Sequence, residues 1–98
     1  MNNDDLAFLA TLEDIVRRRL EEKPDGSYTA SLAAAGTRRM AQKVGEEGVE
    51  LVLAATAGSR DDVIGEAADL FYHVLVVLAD RDVRIREVVD ALESRHAG

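Results

Sequence analysis

Apolar residues recur at three- and four-residue spacing through most of the chain, beginning with Leu6, Leu9, Leu12, Ile15, Val16 and Leu20. That interval puts them on one stripe of a helix, so residues 4–22 predict a first amphipathic helix. Pro24-Asp25-Gly26 ends it: proline presets its own φ, aspartate bonds to nearby backbone and glycine accepts a left-handed conformation. A second periodic segment, residues 37–57, carries Met40, Val44, Leu51 and Leu53, with Val49 and Val52 widening the apolar face. Gly58 stops it, and Ser59 followed three residues later by Asp62 has the form of an N-cap with an acidic first turn.

A third helix is predicted over residues 60–79, and in its second half Leu70, Phe71, Val74, Leu75, Val76, Val77 and Leu78 cover most of the circumference. A helix apolar all round must be covered on several sides, which one small chain supplies poorly; a second copy is the economical cover. Asp82 predicts the cap of a last helix running through Arg95, with Ile85, Val88, Val89 and Leu92 as its stripe. Residues 23–36 form the one substantial connection, with a short helical turn predicted in Tyr28-Thr29-Ala30-Ser31-Leu32. The pattern predicts an all-α fold, a helical bundle in a single domain over residues 1–98, completed by homodimerisation.

Composition narrows the function classes. Twelve Lys plus Arg against nineteen Asp plus Glu leave a formal charge of -7, which argues against a nonspecific nucleic-acid surface. The absence of cysteine excludes disulfides and thiolate zinc sites and fits a reducing compartment. The longest apolar run, Leu70 to Ala79, is about half the roughly 20 residues needed to span a bilayer, so no membrane partner is expected. Met1-Asn2-Asn3-Asp4-Asp5 carries no basic residue and does not read as a secretory signal; a cytoplasmic location is the expectation.

The chemistry lies in the acidic spacing. Glu47 and Glu50 are three apart and project from neighbouring positions on one helical face; Glu66 and Asp69 repeat that geometry on the next helix. If the two helices pack antiparallel across a short turn, four carboxylates face one another. Alone they would repel, and a hard divalent cation such as Mg²⁺, which favours oxygen ligands, removes that cost. Glu46 sits about 100° round the helix from Glu47 and four before Glu50, a position to flank the same site. Lys43 is three before Glu46 and four before Glu47, the spacing of an ordinary helix-surface ion pair as well as of a site cation. Gly45 and Gly48 each cost a helix about 1 kcal/mol relative to alanine; they permit close approach of another helix, or are simply tolerated. Neither belongs to a P-loop or a dinucleotide fingerprint.

Ser27-Tyr28-Thr29, Gly36, Lys43-Val44-Gly45-Glu46-Glu47-Gly48-Val49-Glu50 and Glu66-Ala67-Ala68-Asp69-Leu70-Phe71-Tyr72-His73, in this order and spacing, resemble the phosphoribosyl-ATP pyrophosphohydrolase family. The resemblance covers residues 6–96; its two acidic motifs alone are shared by the wider all-helical nucleoside triphosphate pyrophosphohydrolases. It implies a homodimer, Mg²⁺ dependence, and hydrolysis of phosphoribosyl-ATP to phosphoribosyl-AMP and pyrophosphate, the second step of histidine biosynthesis. By position it implies Glu47, Glu50, Glu66 and Asp69 as metal ligands and Glu46 or Glu47 as the residue that orients the attacking water. Arg18, Arg39 and Lys43 are implied as phosphate contacts and Ser27, Tyr28 and Thr29 as the substrate-facing segment. His73, in a strongly apolar helix, is expected to be buried and hydrogen-bonded, supporting Asp69 from one turn away. Arg39 stands where the family commonly has lysine and Gly48 where it commonly has another small residue. The sequence also admits two other readings: a house-cleaning pyrophosphohydrolase of noncanonical nucleoside triphosphates, and a noncatalytic helical dimer indifferent to divalent ions.

Overall fold

A computed structural model describes residues 6–97, and among these the chain forms five helices and no strand: α1 (Ala7–Glu22), α2 (Tyr28–Ala35), α3 (Thr37–Ala57), α4 (Arg60–Asp80) and α5 (Ile85–Arg95). The predicted start of the first helix, before Leu6, lies outside the described residues.

The α3–α4 turn follows from its residues. The Ser59 hydroxyl accepts from the Asp62 N–H at 3.1 Å, and the Asp62 carboxylate accepts from the Ser59 N–H at 3.0 Å, a reciprocal capping box that fixes where α4 begins. At Gly58 a Cβ would stand 2.9 Å from the Ala54 carbonyl oxygen and 3.0 Å from the Asp62 carboxylate, so only glycine lets the chain turn this tightly. At the far end of the hairpin Thr37 Oγ1 donates to Asp80 Oδ2 at 2.6 Å, joining the first residue of α3 to the last of α4. Two 21-residue helices therefore run antiparallel over their whole length.

The core sits toward that far end, where α1 and α2 cross the hairpin. Val16, Leu32, Met40 and Val76 are buried together, with Leu12, Leu20, Tyr72 and Val77 packed around them. Each such side chain contributes about 1.5–3 kcal/mol by leaving water. The connection before α3 holds more helix than its sequence predicted: α2 runs two turns to Ala35, capped by Ser27, whose hydroxyl accepts from the Ala30 N–H at 3.2 Å.

The end of the chain corrects one expectation. Asp82 does not cap α5; it lies in the left-handed region at φ 55° and pairs with Arg17 at 2.6 Å. The helix starts at Ile85, and its first N–H is accepted by Glu13 of α1 at 2.5 Å, while Glu87 accepts from the Arg84 N–H at 2.8 Å. Among the described residues, no helix is long and apolar enough to cross a membrane.

Candidate active site

The hairpin brings the two acidic motifs level. Glu47 precedes Gly58 by eleven residues and Asp69 follows it by eleven; Glu50 and Glu66 stand eight residues to either side. Equal arms on an antiparallel pair put Glu47 opposite Asp69 and Glu50 opposite Glu66. Glu47, Glu66 and Asp69 each offer a carboxylate oxygen, and these three lie within 4.8 Å of one another. Octahedral ligands bonded to Mg²⁺ at about 2.1 Å stand roughly 3–4 Å apart, so small side-chain rotations bring this all-oxygen set to that geometry. Glu50 is exposed and outside the group of three, near enough that its charge acts on Glu66.

Burial and like charge act together on Glu66. The Glu66 carboxyl is raised above the ordinary glutamate value by partial burial first, then by the charges of Asp69, Glu50 and Glu47. A cation among these groups would reverse the electrostatic part of that shift.

A basic edge borders the cluster. Lys43 Nζ lies 3.2 Å from Glu47 and 3.3 Å from Glu46, and Arg39 lies 3.3 Å from Glu46, which also accepts from Gln42 at 3.0 Å. Bonds to Glu47 and Glu46 raise Lys43 and keep it charged, while Lys43 and then Arg39 hold the Glu46 carboxyl below the ordinary range. Glu46 and Glu47, adjacent in sequence, share Lys43 but differ otherwise: Glu47 also stands in the carboxylate cluster, and Glu46 also meets Arg39. Within one chain a Cβ at Gly45 or Gly48 would meet nothing within 4 Å, so neither marks a close approach.

The segment Ser27–Thr29 divides its roles. Ser27 caps α2; Thr29 is 1% exposed, with its hydroxyl bonded to Tyr72. Tyr28 alone of the three stands open, at 49% exposure, its hydroxyl 2.9 Å from His73 Nε2. His73 is buried as expected, and it reaches Asp69 through the main-chain carbonyl at 2.7 Å, not through the carboxylate. Arg18 lines a shallow cavity with Ile15, Arg19, Glu22 and Pro24. Its neighbour Arg19 lines the groove of about 380 Å³ that Ser27, Tyr28, Thr29 and Tyr72 share. Arg19 and Tyr72 went unassigned from sequence, although Tyr72, three residues past Asp69, sits inside the second acidic motif.

The chain matches the family described as phosphoribosyl-ATP pyrophosphohydrolase over residues 9–96. It is similar to proteins named histidine biosynthesis bifunctional protein HisIE. That of Vibrio cholerae is 50% identical over 91 residues, covering 93% of this chain and 43% of the relative. That of Salmonella typhimurium is 52% identical over 89 residues, covering 91% and 44%, and that of Yersinia pestis 50% identical over 92 residues, covering 94% and 45%. The chain spans less than half the length of these curated relatives.

Proposed function

This chain belongs to the phosphoribosyl-ATP pyrophosphohydrolase family, and on that premise we propose that it hydrolyses phosphoribosyl-ATP to phosphoribosyl-AMP and pyrophosphate, the second step of histidine biosynthesis. The observation that carries the reading is the convergence of Glu47, Glu66 and Asp69 from two helices onto a space of 4.8 Å beside Lys43 and Arg39. A purely structural hairpin gains nothing from three mutually repelling carboxylates.

In this reading Glu47, Glu50, Glu66 and Asp69 hold Mg²⁺. When bound, the metal neutralises the charge of the triphosphate and fixes the orientation of its oxygens. Water adds across the α–β anhydride, its oxygen bonding to phosphorus as the bridging oxygen departs with pyrophosphate. Of the two candidates for orienting that water, Glu47 is the one among the carboxylates. Glu46, whose carboxyl Lys43 and Arg39 hold below the ordinary range, serves to hold Arg39 and Lys43 in place to meet phosphate oxygens. The groove beside Tyr28, with Arg19 on its wall, takes a further part of the phosphoribosyl nucleotide.

The working unit in this proposal is a homodimer in the cytoplasm. Leu9, Leu70, Phe71, Val74, Leu78 and Leu92 line a wholly apolar groove of about 310 Å³, and Val49, Val52 and Leu53 stand more than half exposed on α3. The radius of gyration, 14.6 Å, exceeds the roughly 12.6 Å typical of a chain this long, as a half-bundle awaiting its other half would.

Pyrophosphate release from phosphoribosyl-ATP, ATP and noncanonical nucleoside triphosphates, each with Mg²⁺ and with chelator, tests the proposal. Mg²⁺-dependent release from phosphoribosyl-ATP alone is expected; release mainly from the other triphosphates would move the chain to a house-cleaning role, and none from any would leave it noncatalytic.

A further inference from the structure

Between α2 and α4 a buried imidazole is bonded at both nitrogens. Nδ1 of His73 lies 2.7 Å from the carbonyl oxygen of Asp69, and Nε2 lies 2.9 Å from the Tyr28 hydroxyl. A carbonyl oxygen only accepts, so Nδ1 carries a proton. In the neutral ring Nε2 then offers only a lone pair, and the Tyr28 hydroxyl must donate to it. The phenolic proton is thereby committed, leaving the Tyr28 oxygen with lone pairs for anything else it meets. The ring is also held in place: it is 6% exposed and packs edge-on against Tyr28 and Tyr72, with centroids 5.7 and 5.3 Å away. Tyr28 is open to a ligand while the imidazole behind it is not.

We propose that His73 is a positioning residue acting on Tyr28. By taking the phenolic proton it makes the Tyr28 oxygen an obligatory acceptor, which selects a sugar hydroxyl of the substrate over a phosphate oxygen. A phosphate oxygen at neutral pH has no proton to give, and two acceptors facing each other repel; a ribose hydroxyl supplies the proton. The sugar therefore lies against α2 while the triphosphate lies against the carboxylates and Lys43. This assignment rests on the phosphoribosyl nucleotide being the substrate.

Two measurements test it. The first needs no substrate: ¹⁵N chemical shifts of the His73 ring at pH 8 are expected to show a protonated Nδ1 and a bare Nε2, and the opposite tautomer would overturn the proposal. The second compares wild type, Tyr28→Phe, His73→Asn, the double variant and His73→Gln, with thermal unfolding as a check on folding. Tyr28→Phe and His73→Asn are expected to raise KM for phosphoribosyl-ATP about three- to tenfold, the worth of one hydrogen bond, with kcat within about twofold. The double variant should be no worse than either single one, and His73→Gln, whose side-chain oxygen can accept near the Nε2 position, should recover most of the loss. Inorganic triphosphate, which has no hydroxyl, should inhibit all five proteins equally. Weaker inhibition of Tyr28→Phe would make Tyr28 a phosphate contact and overturn the proposal, as would additive losses or no recovery by glutamine. If wild type does not turn over phosphoribosyl-ATP, the substrate reading falls and the sugar assignment with it, whereas the tautomer stands or falls on its own measurement.

Discussion

Glu13 of α1 accepts a hydrogen bond of 2.5 Å from the backbone N–H of Ile85, the first residue of α5, and lies 3.5 Å from the Arg84 guanidinium. A helix start is ordinarily capped by a neighbour in sequence; here the cap comes from another helix. Glu13 is 8% exposed, and α5 buries none of its own residues, so this contact and the ion pairs of Arg84 fix where α5 sits. Glu13→Ala should cost about 1–3 kcal/mol, which at this chain length lowers Tm by several degrees at a fixed protein concentration. Asp14→Ala, which removes an exposed ion pair of 3.0 Å, should cost under about 1 kcal/mol. Thermal unfolding of the two variants side by side checks the difference.

Charge removal in the acidic cluster should have opposite effects with and without metal. Glu66 is raised above the ordinary value, so in the metal-free fold its ionised form is disfavoured. Its unfavourable contribution is present above the raised folded-state value and fades as pH falls through that value and the carboxyl takes up its proton. Glu66→Gln should therefore raise Tm at pH 7 in chelator, with the gain shrinking toward acid. In Mg²⁺ wild type should become the more stable protein, because only it keeps the full ligand set. Calorimetry in the two buffers reads the reversal.

Catalysis should depend on all four carboxylates. Glu47→Gln, Glu50→Gln, Glu66→Gln and Asp69→Asn are each expected to lower kcat by at least about a hundredfold, the scale of losing one charge-stabilising group, with the helical circular dichroism spectrum unchanged. Glu46→Gln should act chiefly through Lys43 and Arg39, raising KM more than it lowers kcat. Steady-state pyrophosphate release separates the two patterns.

The Arg17–Asp82 pair gives a second pH signature with the other sign. Arg17 holds the Asp82 carboxyl below its ordinary value of 3.8, so the pair's contribution is present above that value and lost as pH falls through the lower, folded-state one. Asn tolerates the left-handed backbone found at this position, so Asp82→Asn removes charge without adding strain. The variant should be less stable than wild type by a constant margin from about pH 5 to pH 8, and the margin should close in stronger acid.

Association should depend on the apolar groove. Phe71 is 57% exposed and lines it with Val74 and Leu92; Phe71→Asp sets a charge where a second copy is proposed to seat. Sedimentation equilibrium should report a dimer for wild type and a monomer for the variant.

Local chemistry made much of this legible. The bounds of α3 follow from apolar spacing and Gly58, and those of α4 from Ser59 and Asp62, because each signal acts within one or two turns. The pairing of the acidic motifs follows from two helix periods and a two-residue link. What escaped depends on distant partners or on angle. Asp82 has the right residue type for a cap but is drawn off by Arg17, while the actual cap, Glu13, stands more than seventy residues upstream. Arg17, Arg18 and Arg19 run together, and successive residues differ by about 100° around the helix, so the one facing the Tyr28 groove is set by how α1 rolls onto α4. Thr29 reads as a free hydroxyl until Tyr72 is seen against it.

The equal arms of the α3–α4 hairpin also determine where the gene can tolerate a change in length. One extra codon between Glu50 and Gly58 would swing Glu47 and Glu50 by about 100° relative to Glu66 and Asp69 and shift them about 1.5 Å along the axis, dispersing the carboxylates while leaving a well-formed helix. The same codon between Pro24 and Gly26 enlarges an exposed bend at the rim of the Tyr28 groove and leaves the carboxylates in register. Insertions and deletions should be tolerated better in that bend and at the chain ends than from Glu47 to Asp69, a stretch that should be inherited as a cassette of fixed length.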